Sequence, residues 1–297
     1  MIDTHTHLQF KAFEGQVDEV IRSANDAGVE KIIVVGTNLE TSKRAVELAE
    51  KYDGIFASVG IHPHHVFSCH AELVSASSKS NEQPQSWQIL KQVQQDDISK
   101  LKALISHPKV IAVGETGLDR HVYKNTKYRN YQITKEFIEL QKLFFKAQIQ
   151  LAIKYQKSLI IHNREAITEL LEILEDNWDP FLEGRSVFHC CEPDHRLLEF
   201  ASAHNVFIGI DGDITYDKEK QEFMKQIPLK LLVLETDSPF FTPESLRSAG
   251  VVLNEPRNLV TTTAFISDLL NLDKHRLYQI TLDNSVRLFN LKTRQLS

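Results

Sequence analysis

The sequence is poor in cysteine and has no excess of basic charge. Its 297 residues include only three cysteines, two of them adjacent at Cys190 and Cys191. Such a set forms no disulfide framework and is typical of a reducing compartment. The net charge of -6 and the isoelectric point near 6.1 argue against a protein that coats nucleic acid through a basic surface. An enzyme that holds a few phosphates through metal ions is compatible with this charge.

Signals for a membrane span, for secretion and for dinucleotide binding are also missing. No apolar run approaches the roughly 20 residues that cross a bilayer. The first residues, MIDTHTH, contain neither the basic nor the apolar region of a secretory signal, so we expect a cytoplasmic protein. No GxGxxG motif follows any predicted strand, which disfavours a doubly wound sheet that binds a dinucleotide.

What is present is a regular alternation of apolar runs and helical patterns. Helical spacing separates most of the runs and is longest at 131–156. The runs that predict buried strands are 1–7, 31–37, 54–63, 110–117, 158–164, 186–191, 205–212 and 231–237. Strands buried on both faces that alternate with helices indicate a parallel sheet. Eight such strands close a (β/α)8 TIM barrel, and a doubly wound open sheet is the alternative. We expect one α/β barrel domain over 1–297.

One segment interrupts the alternation. Residues 68–97 are rich in Ser and Gln and lack a strand pattern, and they precede a predicted helix at 98–105. Loops at this place in the fold usually contain a handful of residues, so the segment indicates an insertion. It is either a disordered loop without a role or a partial lid over the catalytic face. Three closing helices are predicted at 255–270, 275–282 and 285–291.

Histidines and acidic residues fall at the carboxyl ends of the predicted strands. His5 and His7 lie two apart on the first strand, so both imidazoles point to the same side. The other residues of this kind are His62, His64, Glu115, His162, His189 and Asp237. In a parallel barrel these ends meet at one face, where the active sites of this fold lie. Each residue alone is more often a structural residue than a metal ligand. Burying them together requires neutralising cations, which indicates a metal centre.

The ligand types indicate the chemistry of this centre. Histidine and carboxylate ligands without cysteine suit Zn²⁺, Mn²⁺ or Mg²⁺, and oxygen ligands favour Mg²⁺. Two ions roughly 3.5–4 Å apart could share Glu115 and activate a water that attacks a phosphodiester. Asp237 beside that water would hold or accept its proton. The pattern predicts a hydrolase with two divalent ions.

These motifs resemble those of a known family. They are MIDTHTHL, GIHPHH, VGETGLD, LIIHNREA, VFHC, IGIDGDITY, LLVLETDSPFF, NEP and NSVRLF, in this order along almost the whole chain. The chain resembles the TatD-family metal-dependent deoxyribonucleases, which are amidohydrolase-type barrels. The resemblance implies a TIM barrel that hydrolyses DNA with the help of metal ions.

The resemblance also implies which residues hold the metals and the substrate. One metal would be held by His5, His7, Glu115 and Asp237, and a second by Glu115, His162 and His189. His62 and His64 would contact a substrate phosphate. Arg164 would do the same, or would form a structural salt bridge.

Two short stretches depart from the family pattern. Arg120 and His121 follow GETGLD, where an aromatic residue is usual. Cys191, Glu192 and Pro193 follow FHC, where Phe-Ser-Gly is usual. Cys191 is either a small buried apolar residue or a side chain that faces the metal centre. These departures bear on substrate preference, not on the metal ligands.

The leading hypothesis is a metal-dependent 3'-5' exonuclease that acts on single-stranded DNA as a monomer. The acidic net charge fits an enzyme that binds a few nucleotides. One alternative is a metal-dependent deacylase or amidohydrolase with the same site, for example on aminoacyl-tRNA. A barrel that only binds a partner is the other alternative, and the full set of ligand residues argues against it.

Overall fold

Parallel strands, most of them followed by a helix, make up the chain. The computed structural model describes residues 1–66, 95–124 and 133–291. The strands are Ile2–Thr6 (β1), Lys31–Val35 (β2), Ile55–Val59 (β3), Val110–Asp119 (β4), Ser158–Arg164 (β5), Ser186–Phe188 (β6), Phe207–Ile210 (β7) and Leu232–Leu234 (β8). The helices are Val17–Asp26 (α1), Leu39–Lys51 (α2), 95–105 (α3), Lys135–Tyr155 (α4), Ile167–Asn177 (α5), His195–Ala203 (α6), Lys218–Met224 (α7), Glu244–Ser248 (α8), Leu259–Leu269 (α9) and Lys274–Phe289 (α10).

The eight strands form one parallel sheet in sequence order, β1 to β8. The sheet nearly closes on itself, because Thr6 pairs in parallel with Ser238, which follows β8. Two backbone hydrogen bonds complete this seam, from Asp237 N to His5 O at 2.9 Å and from His7 N to Ser238 O at 2.8 Å. The predicted TIM barrel is therefore confirmed, all eight predicted strands are present, and the doubly wound alternative is wrong.

Local capping and an apolar stripe explain where the long helix α4 lies. The Thr134 hydroxyl accepts a hydrogen bond from Phe137 N at the start, and Gln156 ends the helix in a left-handed conformation. Phe137 and Phe144 are almost completely buried, as the apolar stripe in this segment predicts. The helix therefore packs one apolar face against the barrel.

The core has two parts, and the inner one lies beneath the strand ends that carry the candidate ligands. The inner cluster takes residues from every strand, so it fills the interior of the ring: Ile2, Ile33, Val35, Phe56, Ala112, Ile160, Val187, Phe207, Val233, Leu288, Phe289 and Leu291. The larger outer cluster lies between strands and helices. Side chains two apart on a strand share a face, so His162 follows Ile160 and His189 follows Val187 on the inner side. Apolar packing below thus fixes the polar side chains above.

The C-terminal helices differ from the prediction. The segments predicted at 275–282 and 285–291 form one continuous helix, α10. The polar residue Asn284 does not interrupt it, because its amide donates hydrogen bonds to the carbonyls of Leu229 and Leu232 at 2.8 and 2.7 Å. Asn284 is buried against the start of β8, where these carbonyls need donors. The prediction of two separate helices was wrong for this reason.

The predicted insertion at 68–97 lies almost entirely outside the described residues. Its last residues, 95–97, are the described start of α3, which confirms the helix predicted at 98–105. Among the described helices, none combines the length and the apolarity needed to cross a bilayer.

Candidate metal centre

Six side chains from five strands converge at the carboxyl end of the barrel. His5 lies in β1 and His7 directly after it, and Glu115 and His162 lie in β4 and β5. His189 follows β6, and Asp237 follows β8. All but His162, which is partly exposed, are buried. The structure therefore brings together all six residues expected to hold metal ions.

The first group joins His5, His7, Glu115 and Asp237. His5 Nε2 lies 3.3 Å from Glu115 Oε2 and 3.6 Å from Asp237 Oδ1. His7 Nε2 lies 3.2 Å from Asp237 Oδ1 and 4.0 Å from Glu115 Oε1. The two Nε2 atoms are 3.3 Å apart. These four side chains therefore direct their ligand atoms at one small volume.

The second group shares Glu115 with the first. His189 Nε2 lies 2.9 Å from Glu115 Oε2, and His162 Nδ1 lies 3.1 Å from His189 Nε2. The rings of His5 and His189 stack with centroids 4.0 Å apart, so the two groups are adjacent. Glu115 lies at their junction, which is the position of a ligand shared between two ions.

The donor set fits cations in this volume. His7 Nδ1 lies 2.8 Å from the carbonyl of Val35, so Nδ1 carries a proton and Nε2, 3.2 Å from Asp237 Oδ1, is the nitrogen left for an ion. Asp237 Oδ1 is buried and has no well-aligned hydrogen-bond donor among the described residues. A buried carboxylate oxygen beside an imidazole nitrogen requires a positive charge, which a bound cation can supply in place of a proton. Imidazole nitrogens and carboxylate oxygens are suitable ligands for Zn²⁺, Mn²⁺ or Mg²⁺.

The electrostatics keep the shared carboxylate ionised. Burial alone would raise the pKa of Glu115, but the charges of His62 and His189 and the hydrogen bonds from His189 and His5 hold it well below its ordinary value. Burial also opposes the charge on His189, yet Glu115 holds the pKa of that ring well above its ordinary value. Burial lowers the pKa of His5, and neighbouring His189 lowers it further. The site is thus built around an anionic Glu115.

Asp119 is a site residue that the sequence analysis did not single out. Its Oδ2 lies 3.1 Å from His162 Nε2 and 3.0 Å from His64 Nε2. Burial opposes ionisation, but hydrogen bonds from His162 and His64 hold the pKa of Asp119 below its ordinary value. The carboxylate therefore fixes Nε2 of His162 as the protonated nitrogen, which leaves Nδ1 for a metal.

Glu235 lies beside His189 in the way that Asp119 lies beside His162. Its Oε1 accepts a hydrogen bond from Cys190 N at 2.5 Å and lies 3.6 Å from His189 Nδ1. The carboxylate rests against Gly209, where a Cβ atom would lie 2.5 Å from Glu235 Oε2. Spacing could have revealed both acids, because each lies an even number of residues from an expected ligand, Asp119 four after Glu115 and Glu235 two before Asp237.

We expect the Asp119→Asn variant to lose metal affinity at the His162 side of the centre by about 10–100-fold. The amide keeps the shape of the carboxylate but removes the charge that orients His162. Mn²⁺ titration monitored by electron paramagnetic resonance would measure the change, with Asp268→Asn on the exposed face of α9 as the matched control. Equal Mn²⁺ affinity in Asp119→Asn and wild type would rule out this positioning role.

The residues expected to bind phosphate lie at different depths. The Nε2 atom of His62 lies 3.9 Å from Glu115 Oε1, and its ring contacts His162 with centroids 4.4 Å apart. His64 is 1% exposed and directs Nε2 at Asp119, so its place fits a positioning role better than contact with substrate. Arg164 is partly exposed; its Nε lies 3.9 Å from Glu192, and its guanidinium lies over the Tyr123 ring. Arg164 is thus the most exposed of the three, whereas His62 is buried next to Glu115 and His162.

The two departures from the family pattern lie in different surroundings. The Arg120 guanidinium pairs with Glu169, and His121 Nδ1 lies 2.5 Å from Glu165 Oε1. Cys191 is 2% exposed and belongs to the outer core, so it is the small buried apolar residue of the two alternatives.

Comparison with known proteins identifies what the chain resembles. A family model described as TatD related DNase matches residues 2–290. The uncharacterized metal-dependent hydrolase YabD of Bacillus subtilis is 31% identical over 98% of this chain and 99% of its own length. A protein of Erwinia tasmaniensis named 3'-5' ssDNA/RNA exonuclease TatD is 32% identical over 98% of this chain and 100% of its own length. The solved structure of YJJV, a TatD homolog from Escherichia coli K12, is 26% identical, with a TM-score of 0.77 over 98% of both chains.

Proposed function

Because this chain belongs to the TatD-related DNase family of metal-dependent hydrolases, we propose that it hydrolyses the phosphodiester bonds of DNA. We propose further that it removes nucleotides from the 3' end of single strands. The name of the relative from Erwinia tasmaniensis, 3'-5' ssDNA/RNA exonuclease, supports both the substrate and the direction.

The observation that carries the proposal is the position of Glu115 between two groups of histidines. Its Oε2 atom lies 3.3 Å from His5 Nε2 and 2.9 Å from His189 Nε2. A shared carboxylate suits a pair of ions that act on one phosphodiester. When bound, the two divalent ions, with Mg²⁺ preferred, would supply Lewis acidity for attack by water.

The other residues of the centre have complementary roles. His5, His7 and Asp237 would hold one ion with Glu115, and His162 and His189 would hold the other. The ionised carboxylate of Asp237 would accept the proton of the attacking water. His62, which adjoins Glu115, and the partly exposed Arg164 would contact the phosphate oxygens.

An exposed aromatic side chain at the rim favours a flexible, single-stranded substrate. Phe240 follows Asp237 closely in sequence, and its side chain is 48% exposed. Its ring meets those of His7 and Phe10 edge-on, with centroids 6.2 and 6.4 Å apart. An exposed aromatic ring beside the reacting phosphate suits stacking with an unpaired base. We propose that the enzyme acts as a single barrel domain, as a monomer and in the cytoplasm, which fits its acidic charge and its few cysteines.

Digestion of a single-stranded DNA oligonucleotide with a 5' label tests the proposal. We expect a ladder of shortened products in the presence of Mg²⁺ or Mn²⁺ and none in the presence of a chelator. A second oligonucleotide with a phosphorothioate at its last 3' linkage is the matched control. Shortening from the 3' end predicts that this substrate is resistant, because a sulfur replaces an oxygen at the bond that is cut first.

If the DNA is not cut, tests with other substrates show which part of the proposal is wrong. If the oligonucleotide survives while aryl phosphodiesters are cut, the metal site hydrolyses a different phosphodiester. If only esters or amides are cut, the enzyme is a deacylase or amidohydrolase and the proposal is wrong.

A further inference from the structure

A second cluster of ligand-type side chains lies beside the metal centre. Cys190 follows β6, and Asp211 and Asp213 follow β7. The Sγ atom of Cys190 and one carboxylate oxygen from each aspartate all lie within 4.8 Å of one another. Asp211 is fully buried, Asp213 is 7% exposed and Cys190 is half-buried, so the cluster is largely shielded from solvent.

The charges in this cluster do not balance. Lys220 supplies one ammonium, which donates to Asp213 Oδ2 at 2.6 Å and lies 3.9 Å from Cys190 Sγ. Asp211 Oδ1 accepts a hydrogen bond from Asp213 N at 2.8 Å. The remaining oxygens, Asp211 Oδ2 and Asp213 Oδ1, are buried and have no hydrogen-bond partner in the described part of the chain. Among the described residues, two carboxylates therefore face one ammonium, so the pair takes up one further positive charge, either a proton or a metal ion.

We propose that Cys190, Asp211 and Asp213 form a further binding site for a divalent transition-metal ion, separate from the centre around Glu115. A thiolate with two carboxylates suits Zn²⁺ or Co²⁺ and not Mg²⁺ or Mn²⁺, which prefer oxygen ligands. On binding, the S–H bond of Cys190 breaks, its proton passes to solvent, and the sulfur bonds to the ion.

The new site adjoins the first centre through one residue. Glu235 accepts a hydrogen bond from Cys190 N and approaches His189 Nδ1, so its carboxylate lies between the two clusters. The site shares no ligand with the six residues of the first centre. An ion bound there would add positive charge beside the place where the substrate phosphate would lie.

Titration of the purified protein with Co²⁺ tests this site directly. A thiolate bound to Co²⁺ gives an intense near-ultraviolet charge-transfer band, which the cysteine-free centre around Glu115 does not produce. We expect this band in wild type, its loss in Cys190→Ser, and its retention in the matched control Cys191→Ser, whose sulfur lies in the outer core. Asp211→Asn should also weaken the band without any change at the thiol.

Lys220 allows a second test of the site, because its ammonium competes with the metal ion for the two carboxylates. Lys220→Met should tighten Co²⁺ binding at the thiolate site by at least about tenfold, since it removes a like charge a few ångströms away. Absence of the band from both wild type and Lys220→Met would overturn the proposal, as would a band that persists in Cys190→Ser. Because the readout is spectroscopic, it is independent of whether the protein cuts DNA.

Discussion

Glu115→Gln is expected to lower turnover on single-stranded DNA by about 10³-fold, because it removes a buried charge that both ions would share. Glutamine keeps the shape of the side chain, so the barrel should fold as in wild type. Without the carboxylate, His5 and His189 lose the acceptor that lies 3.3 and 2.9 Å from their Nε2 atoms. Turnover with Mg²⁺ and metal content after dialysis should therefore fall together.

Glu47→Gln is the matched control for this experiment. Glu47 is an exposed carboxylate on α2 that pairs with Lys43 at 3.9 Å, away from the strand ends. It should leave both turnover and metal content within about twofold of wild type, as is usual for surface substitutions. If Glu115→Gln kept more than a tenth of wild-type turnover, Glu115 would not be the shared ligand.

Asp237→Asn is expected to lower turnover by about 10²–10⁴-fold, the range associated with loss of a general base. Asp237 lies 3.2 Å from His7 and 3.6 Å from His5, so it is placed both to hold an ion and to accept a proton. The asparagine can still offer an oxygen to the ion but cannot accept the proton. Saturating Mn²⁺ should therefore restore metal occupancy while turnover stays low.

This design separates the two roles of Asp237. Recovery of wild-type turnover at high Mn²⁺ would mean that Asp237 acts only as a ligand. A turnover that stays low with both ions bound would support its role as proton acceptor.

The barrel could be predicted from sequence because its signals are local and repeated. Each strand is a short apolar run, and Ile160 with His162 or Val187 with His189 shows the alternation that puts polar residues above the apolar interior. The helix at 274–289 was harder, because Asn284 resembles a helix-ending residue until the carbonyls that it contacts are known. Long-range partners decide such cases, and a local pattern does not contain them.

For the metal centre too, local patterns could be recognised in the sequence, whereas long-range contacts could not. Its six expected ligands are recognisable because each is a histidine or an acid at a strand end. Asp119 and Glu235 are equally close to the chemistry, yet their roles depend on which ring nitrogen lies against them across the barrel. The role of His64 likewise follows from Asp119, which lies on a different strand. Residues that position ligands are thus predicted less readily than the ligands themselves.

Anomalous X-ray diffraction from crystals grown with Mn²⁺ tests the central claim most directly. The account predicts two Mn²⁺ peaks that flank Glu115, one among His5, His7 and Asp237 and the other beside His162 and His189. A single peak, or two peaks without a Glu115 oxygen in contact with both, would contradict a centre in which this carboxylate is shared.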